Sequence, residues 1–271
     1  MRTLALLLPL TLPLPLPLPL TALAQSTSTA DLLQQVDDDR WNLGIAASVR
    51  QSPYVGEGTR VQPFPLVSYD GDRVFWQGLS GGIHAFSGDR FGVDVLVAAR
   101  FDGFDIDDLG HTELRANGLD PGLLDDRDDG LDAGIAVHSS TRAGQIKLRA
   151  LADVSGTSKG QEVTLDYGYV VQLGRTTLVP GVSVSWMSKD LTRYYYGISD
   201  EEVARGVAAY VPGHAVSPQI SIGIQRPLGG KWKFTGAASY RFLPDEITDS
   251  PLMESDTDGS AGLLLGLSRS F

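Results

Sequence analysis

The stretch "FGVDVLVAARFD", residues 91–102, decides the fold. On an extended chain Phe91, Val93, Val95, Val97, Ala99 and Phe101 share one face, and Asp94, Arg100 and Asp102 share the other. A period of two marks a strand with one apolar and one polar face. The pattern recurs down the chain. In "QIKLRALADV" (145–154) Ile146, Leu148, Ala150, Ala152 and Val154 alternate with Lys147, Arg149, Leu151 and Asp153. "EVTLDYGYVVQL" (162–173) sets Val163, Leu165, Tyr167, Tyr169, Val171 and Leu173 against Glu162, Thr164, Asp166 and Gln172. "KWKFTGAASYRF" (231–242) sets Trp232, Phe234, Ala238, Tyr240 and Phe242 against Lys231, Lys233, Thr235, Ser239 and Arg241. No helical stripe of comparable length competes with these runs.

A soluble β-sandwich alternates too, so length and aromatic placement must arbitrate. Several runs reach ten residues or more, longer than soluble strands and matched to a tilted membrane crossing. Aromatic residues sit at the run ends on the apolar face: Trp41, Tyr69, Phe91, Phe101, Trp186, Trp232, Tyr240 and Phe242. Interfacial girdles of a membrane barrel have this placement. Short turns ("SGDR" 87–90, "RAGQ" 142–145, "LGRT" 173–176, "GGK" 229–231) alternate with longer polar connections at 102–130, 156–160, 190–216 and 244–256. Such barrels have short periplasmic turns and long outer loops. The expected fold is therefore all-β, an antiparallel transmembrane β-barrel. Runs near 41–50, 60–69, 73–86, 91–102, 131–141, 145–155, 161–173, 176–188, 217–228, 231–243 and 257–271 make eleven, while single-chain bacterial barrels have an even number. Splitting 73–86 at Gly81-Gly82 gives about twelve strands, with ten as the alternative.

Composition fits this reading. The chain has 271 residues, a hydrophobic content of 42% and a net charge of −11. It has no cysteine, which excludes disulfides, thiolate metal sites and cysteine nucleophiles. The acidic balance argues against nucleic acid as a partner, since phosphate binding needs a basic face. Residues 1–24, "MRTLALLLPLTLPLPLPLPLTALA", read as a signal peptide with Arg2 ahead of the apolar run and Ala22-Leu23-Ala24 before the cleavage point. A transmembrane helix is the competing reading, and alternating prolines at 13, 15, 17 and 19 oppose it. Residues 25–40 then form a periplasmic segment and 41–271 the barrel.

The landmarks "SPYVGEGTRVQPFPLVSYDGDRVFW", "LLDDRDDGLDAG", "SGTSKGQEVTLDYGY" and "YYYGISDEE" resemble those of the MipA/OmpV family, the MltA-interacting outer-membrane proteins. The matching pieces are Tyr54, Gly56, Pro63-Phe64-Pro65, Tyr69, the Asp125–Asp129 run, Gly160-Gln161, Tyr195-Tyr196-Gly197 and the terminal Phe271, spread in order along the mature chain. The resemblance implies the Gram-negative outer membrane, with its lipid and lipopolysaccharide as surroundings. It implies a non-enzymatic scaffold for a lytic transglycosylase and a bifunctional murein synthase. A narrow porin-like channel, or a surface or adhesion protein acting through its outer loops, is the alternative. It carries over no catalytic, cofactor-binding or metal residue.

The residues themselves nominate few sites. The 102–130 stretch holds Asp102, Asp105, Asp107, Asp108, Glu113, Asp120, Asp125, Asp126, Asp128 and Asp129 against Arg115 and Arg127. Divalent-cation capture is conceivable there, but no EF-hand spacing occurs, and a solvated outer loop is the plainer expectation. His138 and Ser140 share a strand face about 7 Å apart, with no nucleophile elbow nearby, so His138 reads as a lumen residue rather than a catalytic base. His84, His111 and His214 are dispersed and form no metal-ligand pair. "RYYYGISDEE" (193–202) fits either a recognition surface or an aromatic belt. Lys147, Arg149, Lys231, Lys233 and Arg241, facing Asp132, Glu162 and Asp166, are expected inside a narrow barrel, where such charges cross-pair. In "GLLLGLSRSF" (262–271) Leu263, Leu265 and Leu267 face lipid, Gly266, Ser268 and Ser270 face inward, and Phe271 resembles an assembly signal at the closing strand.

Overall fold

A computed structural model describes residues 40–271. The expected signal peptide and nearly all of the 25–40 segment lie outside the described residues. Alternating sequence becomes β-strand throughout: β1 (Trp41–Gln51), β2 (Thr59–Asp70), β3 (Val74–Gln77), β4 (Ser80–Ser87), β5 (Phe91–Arg100), β6 (Gly130–Thr141), β7 (Gly144–Asp153), β8 (Gln161–Gly168), β9 (Val171–Leu173), β10 (Thr176–Met187), β11 (Ala215–Gly229), β12 (Trp232–Phe242) and β13 (Gly259–Ser270). Every pairing is between antiparallel neighbours, and β13 pairs with β1 from Asn42↔Ser270 to Arg50↔Gly262. The sheet is thus closed.

The wall contains twelve strands. β8 and β9 pair with β10 in one continuous register, Gly168↔Gly181 and Val171↔Leu178, so they are a single wall strand. The ladder lapses between them opposite Pro180, which has no N–H to donate. The 73–86 run splits as expected, but elsewhere than expected. The turn lies at Gly78-Leu79, where Gly78 has φ +58°, and Gly81-Gly82 are inside β4. Gly82 is needed for close packing, since a Cβ there would come within 2.2 Å of the Val95 carbonyl oxygen.

Exposure follows the period of two, with the sense inverted relative to a soluble protein. Ile45, Val95, Val97, Ile135, Ile220, Leu263, Leu265 and Leu267 lie on the outer surface, and Asp94, Asp132, Lys147, Asp166, Gln219 and Lys233 are buried inside. Leaving apolar side chains outward is stable only against hydrocarbon. Trp41, Phe91, Trp232 and Phe271 ring the end where β1 begins and β13 ends, and Trp186 and Phe242 ring the other. Trp41 packs on Tyr69 with centroids 4.6 Å apart. On β13 the inward and outward sets are as the sequence implies, and the Phe271 amide donates to the Trp41 carbonyl at 3.0 Å. Arg269 lies over the Phe271 ring at 5.3 Å.

With an even number of strands, β1 begins and β13 ends on the same side of the wall. That side has the short turns 71–73, 88–90, 142–143, 174–175 and 230–231 and is the periplasmic one; the long connections 52–58, 101–129, 154–160, 188–214 and 243–258 are on the outer side. Lys231, expected in the lumen, instead occupies a two-residue hairpin turn. Gly230 and Lys231 both have positive φ, 58° and 68°, the turn that suits strand twist.

Candidate functional site

The outer connections form a lid over the barrel mouth. Helices α1 (His111–Ala116), α2 (Lys189–Tyr196), α3 (Asp200–Ala204) and α4 (Asp245–Thr248) occur only in these loops. Their apolar residues meet in one core that includes Tyr54 and Val55 from the first loop and Phe104, Leu114 and Leu119 from the second. Leu191 and Tyr195 come from the fourth, and Ile247 and Leu252 from the fifth. Leu114 and Ile247 are fully buried. Backbone bonds stitch the loops together: Val55 donates to Leu252 at 3.0 Å and Gly110 to Val55 at 2.9 Å. The Asn117 side-chain amide donates to the Pro251 and Met253 carbonyls at 2.9 and 3.2 Å.

At the centre of the lid is a buried ion pair. Arg127 donates to Glu202 from both terminal nitrogens, at 3.1 and 2.9 Å, and also to the carbonyls of Tyr194, Asp125 and Gly197. Glu202 has no solvent exposure. It also completes the capping box of α3: its carboxylate accepts the Ser199 amide at 2.7 Å, and its own amide donates to Ser199 Oγ at 3.1 Å. Burial alone would raise this carboxyl, but Arg127 and the amides of Asp125 and Ser199 hold it below the ordinary value. A buried pair satisfied this completely fixes the geometry of two loops.

The acidic stretch is therefore not a solvated loop. It folds because its leucines and Phe104 enter the lid core, and several of its acids are engaged. Asp126 accepts the Ile106 amide at 2.7 Å, Asp120 that of Gly122 at 3.1 Å, and Asp125 pairs with Arg205. Asp129 accepts the Gly103 amide at 3.1 Å; burial pushes its carboxyl up to about 6 despite that bond, with Asp102 adding to the rise. Among the described residues no three His, Asp or Glu side chains form a group able to hold a metal. The tyrosines of "RYYYGISDEE" are neither a free recognition surface nor a membrane belt. Tyr195 and Tyr196 are buried in the lid, and burial pushes the Tyr196 phenol up to about 12.

Below the lid the lumen is crossed by charges. Arg100 bonds Asp102, Asp132 and Glu162 at 2.9, 2.6 and 2.8 Å. Arg149, Glu162 and Arg241 line the same interior cavity, and Lys147, Lys233 and Asp166 are buried deeper. His84 and His138 are dispersed in sequence, yet the register brings both to Asp94, at 2.7 and 3.3 Å, and His84 also reaches Asp70 at 3.1 Å. His138 thus engages an acid on the adjacent strand rather than Ser140. His111 begins α1, and His214 lies just before β11. The lumen is not wholly polar, as alternation alone implied. Val179, Ala237 and Leu264 pack with Phe64 and Val170, and Phe75, Leu96 and Ala136 with Leu151, as two apolar clusters in the interior.

The two rims differ in charge. Each periplasmic turn carries one exposed basic residue, namely Arg73, Arg90, Arg142, Arg175 and Lys231; two of the turns also carry an exposed acid, Asp72, which pairs with Arg40, and Asp89, so the turns together are net positive. The outer loops carry most of the acids.

Comparison with known proteins matches residues 43–271 to the family described as MltA-interacting protein MipA. The MltA-interacting protein of Escherichia coli (strain K12) is 29% identical over 225 residues, covering 82% of this chain and 87% of that protein. Outer membrane protein OmpV of Vibrio cholerae (serotype O1, strain ATCC 39315 / El Tor Inaba N16961) is 26% identical over 132 residues, 49% of this chain and 51% of its own. Among solved structures the NanC porin aligns with a TM-score of 0.47 at 8% identity, over 84% of this chain and 100% of that one.

Proposed function

The chain belongs to the MltA-interacting protein MipA family of outer-membrane barrels, and from that premise we propose that it is a non-enzymatic scaffold. Its periplasmic rim brings together a lytic transglycosylase of the MltA type and a bifunctional murein synthase. The observation that carries this reading is the ring of five basic residues, one on every periplasmic turn. Charges repeated around a rim steer an acidic partner surface and set its orientation without requiring long loops. The covered outer mouth and charge-crossed lumen support a contact role over a channel role.

The test is capture of murein enzymes from detergent extracts by the intact barrel, compared with the variant carrying R73E, R90E, R142E, R175E and K231E. Capture by the native chain and loss of at least tenfold in the variant is expected, about 1.4 kcal/mol or more. Equal capture by an unrelated barrel overturns the scaffold. A steady single-channel current through the reconstituted native protein would favour the narrow-channel reading instead.

A further inference from the structure

The barrel wall has a notch. β3 has four residues and β4 eight, whereas β2 has twelve and β5 ten. β2 pairs with β3 only from Ser68 to Asp70, so its outer part, Thr59–Val67, has β1 on one side and, among the described residues, no strand on the other. The last contact at the hairpin tip is the Gly78 amide donating to the Val67 carbonyl at 3.0 Å. Backbone groups alternate sides along a strand, so residues 61, 63 and 65 direct theirs toward the gap as Val67 does. Two of these are Pro63 and Pro65, which have no N–H. Unpaired donors in hydrocarbon are costly, and proline on an open edge removes them while preventing a further strand from adding. The gap is therefore a designed edge.

A cavity of about 350 Å³ opens where the lid meets the outer part of this gap. Glu57, Asp105 and Asp108 line it together with Arg60 and Gln62. Arg60 is already engaged by Glu57 and by the Gly103 carbonyl at 3.4 Å. Burial and the neighbouring Asp126, Asp108 and Asp107 push the Asp105 carboxyl up. Gln62 is 7% exposed, and its Oε1 accepts no hydrogen bond from any described residue. A buried carbonyl oxygen without a donor is a costly feature that a ligand N–H would relieve. On the lipid side the same strand presents Val61, which is 65% exposed, with Pro63 and Pro65. Asp105 and Asp108 are exposed on the outer loop, and Val61, which also lines the cavity, faces the lipid side, so the cavity lies where water meets the bilayer.

We propose that this notch is a lateral binding site for a cationic amphiphile, a primary ammonium head on an alkyl chain, entered from the outer leaflet. The alkyl chain stays in hydrocarbon against Val61 and the prolines. The ammonium meets Asp105 and Asp108 and donates to Gln62 Oε1. An anionic headgroup meets a lining with three acids and one engaged base and is repelled.

The experiment is equilibrium dialysis of radiolabelled dodecylammonium against the barrel in phosphatidylcholine nanodiscs, with barrel-free discs as the baseline. Dodecylammonium should bind saturably. Dodecyltrimethylammonium, which has the charge but no N–H, should bind about tenfold more weakly, and dodecyl sulfate should stay at baseline. D105N/D108N should lose about tenfold, while D245N/E246Q, on a different outer loop, should not change. Q62L should abolish the preference for the primary ammonium. Each variant is accepted only if its unheated gel migration matches the native barrel; the three-amphiphile series needs only the native chain. Baseline binding of dodecylammonium, equal binding of all three amphiphiles, or full binding by D105N/D108N overturns the proposal.

Discussion

The lid and the wall below it are made from one chain but obey opposite rules. In the lid, leucines and tyrosines point inward around Arg127 and Glu202, and helices are capped as in a soluble protein. In the wall, leucines point outward and the charges turn inward. The difference shows that solvent, rather than residue type, sets which face of an element is the inside. Water surrounds the lid, so apolar burial holds it together. Hydrocarbon surrounds the wall, so backbone closure and lumenal pairing hold it.

Breaking the lid at its centre should leave the wall intact. Arg127→Ala strands the buried Glu202 carboxylate and should cost the lid about 3–5 kcal/mol. Proteinase K should then cut within 101–129 and 188–214 while unheated gel migration is unchanged. R127M/E202L should recover much of the loss, because removing both charges is far less costly than removing one. If R127A instead unfolds the whole barrel, the two regions are not separable.

The converse substitution lies on the lipid face. Leu265→Arg at mid-wall should cost about 2–4 kcal/mol, read as a lower urea midpoint in vesicles. Here lid and wall should be lost together, with no lid-only cleavage at intermediate urea.

Acidity separates two lid carboxyls. Between about pH 4 and 6 the folded lid holds a proton on Asp129 that the opened chain releases. Lid stability from this group therefore falls as pH rises from the ordinary carboxylate range, about 4, through about 6, and is level above that. Glu202 has the opposite sign: its contribution is present above the ordinary Glu range and is lost as pH falls through its lowered folded value. Asp129→Asn should abolish the decline in lid protease resistance between about pH 4 and 6 and leave the acid loss due to Glu202. The smallest effect is expected from Ser199→Ala, which removes one cap and should cost about 1 kcal/mol, seen as faster amide exchange at α3 alone.

The wall was legible in the sequence because a period of two needs only neighbouring residues. Strand positions, the outward face and the girdles follow from that local rule. The split of 73–86 was legible as well, but the site of the turn was not. A Gly-Gly pair reads as a break, whereas Gly82 answers to the Val95 carbonyl across the sheet. The lid was not legible from charge. Ten acids concealed the leucines among them, and those leucines have no fixed period because partners come from three other loops. One signal was available: "SDEE" (199–202) is a Ser-x-x-Glu capping box, which marks a helix where the tyrosines suggested a recognition surface or an aromatic belt. Pro63 and Pro65 were equally visible, as a reason to expect a free edge on β2.

The β1–β13 seam has a consequence for assembly. Ser270 Oγ donates to Asn42 Oδ1 at 2.9 Å, joining residues at opposite ends of the folded chain. Such a contact cannot form until the whole polypeptide has been delivered to the membrane. The final outer loop, which supplies Ile247 and Leu252 to the lid, is anchored only when β13 is in place. Completion of the lid is thus a late event that reports a finished barrel. A chain stalled one hairpin short would display its incompleteness on the cell surface as a protease-sensitive loop, on the side of the membrane opposite to the one where it stalled.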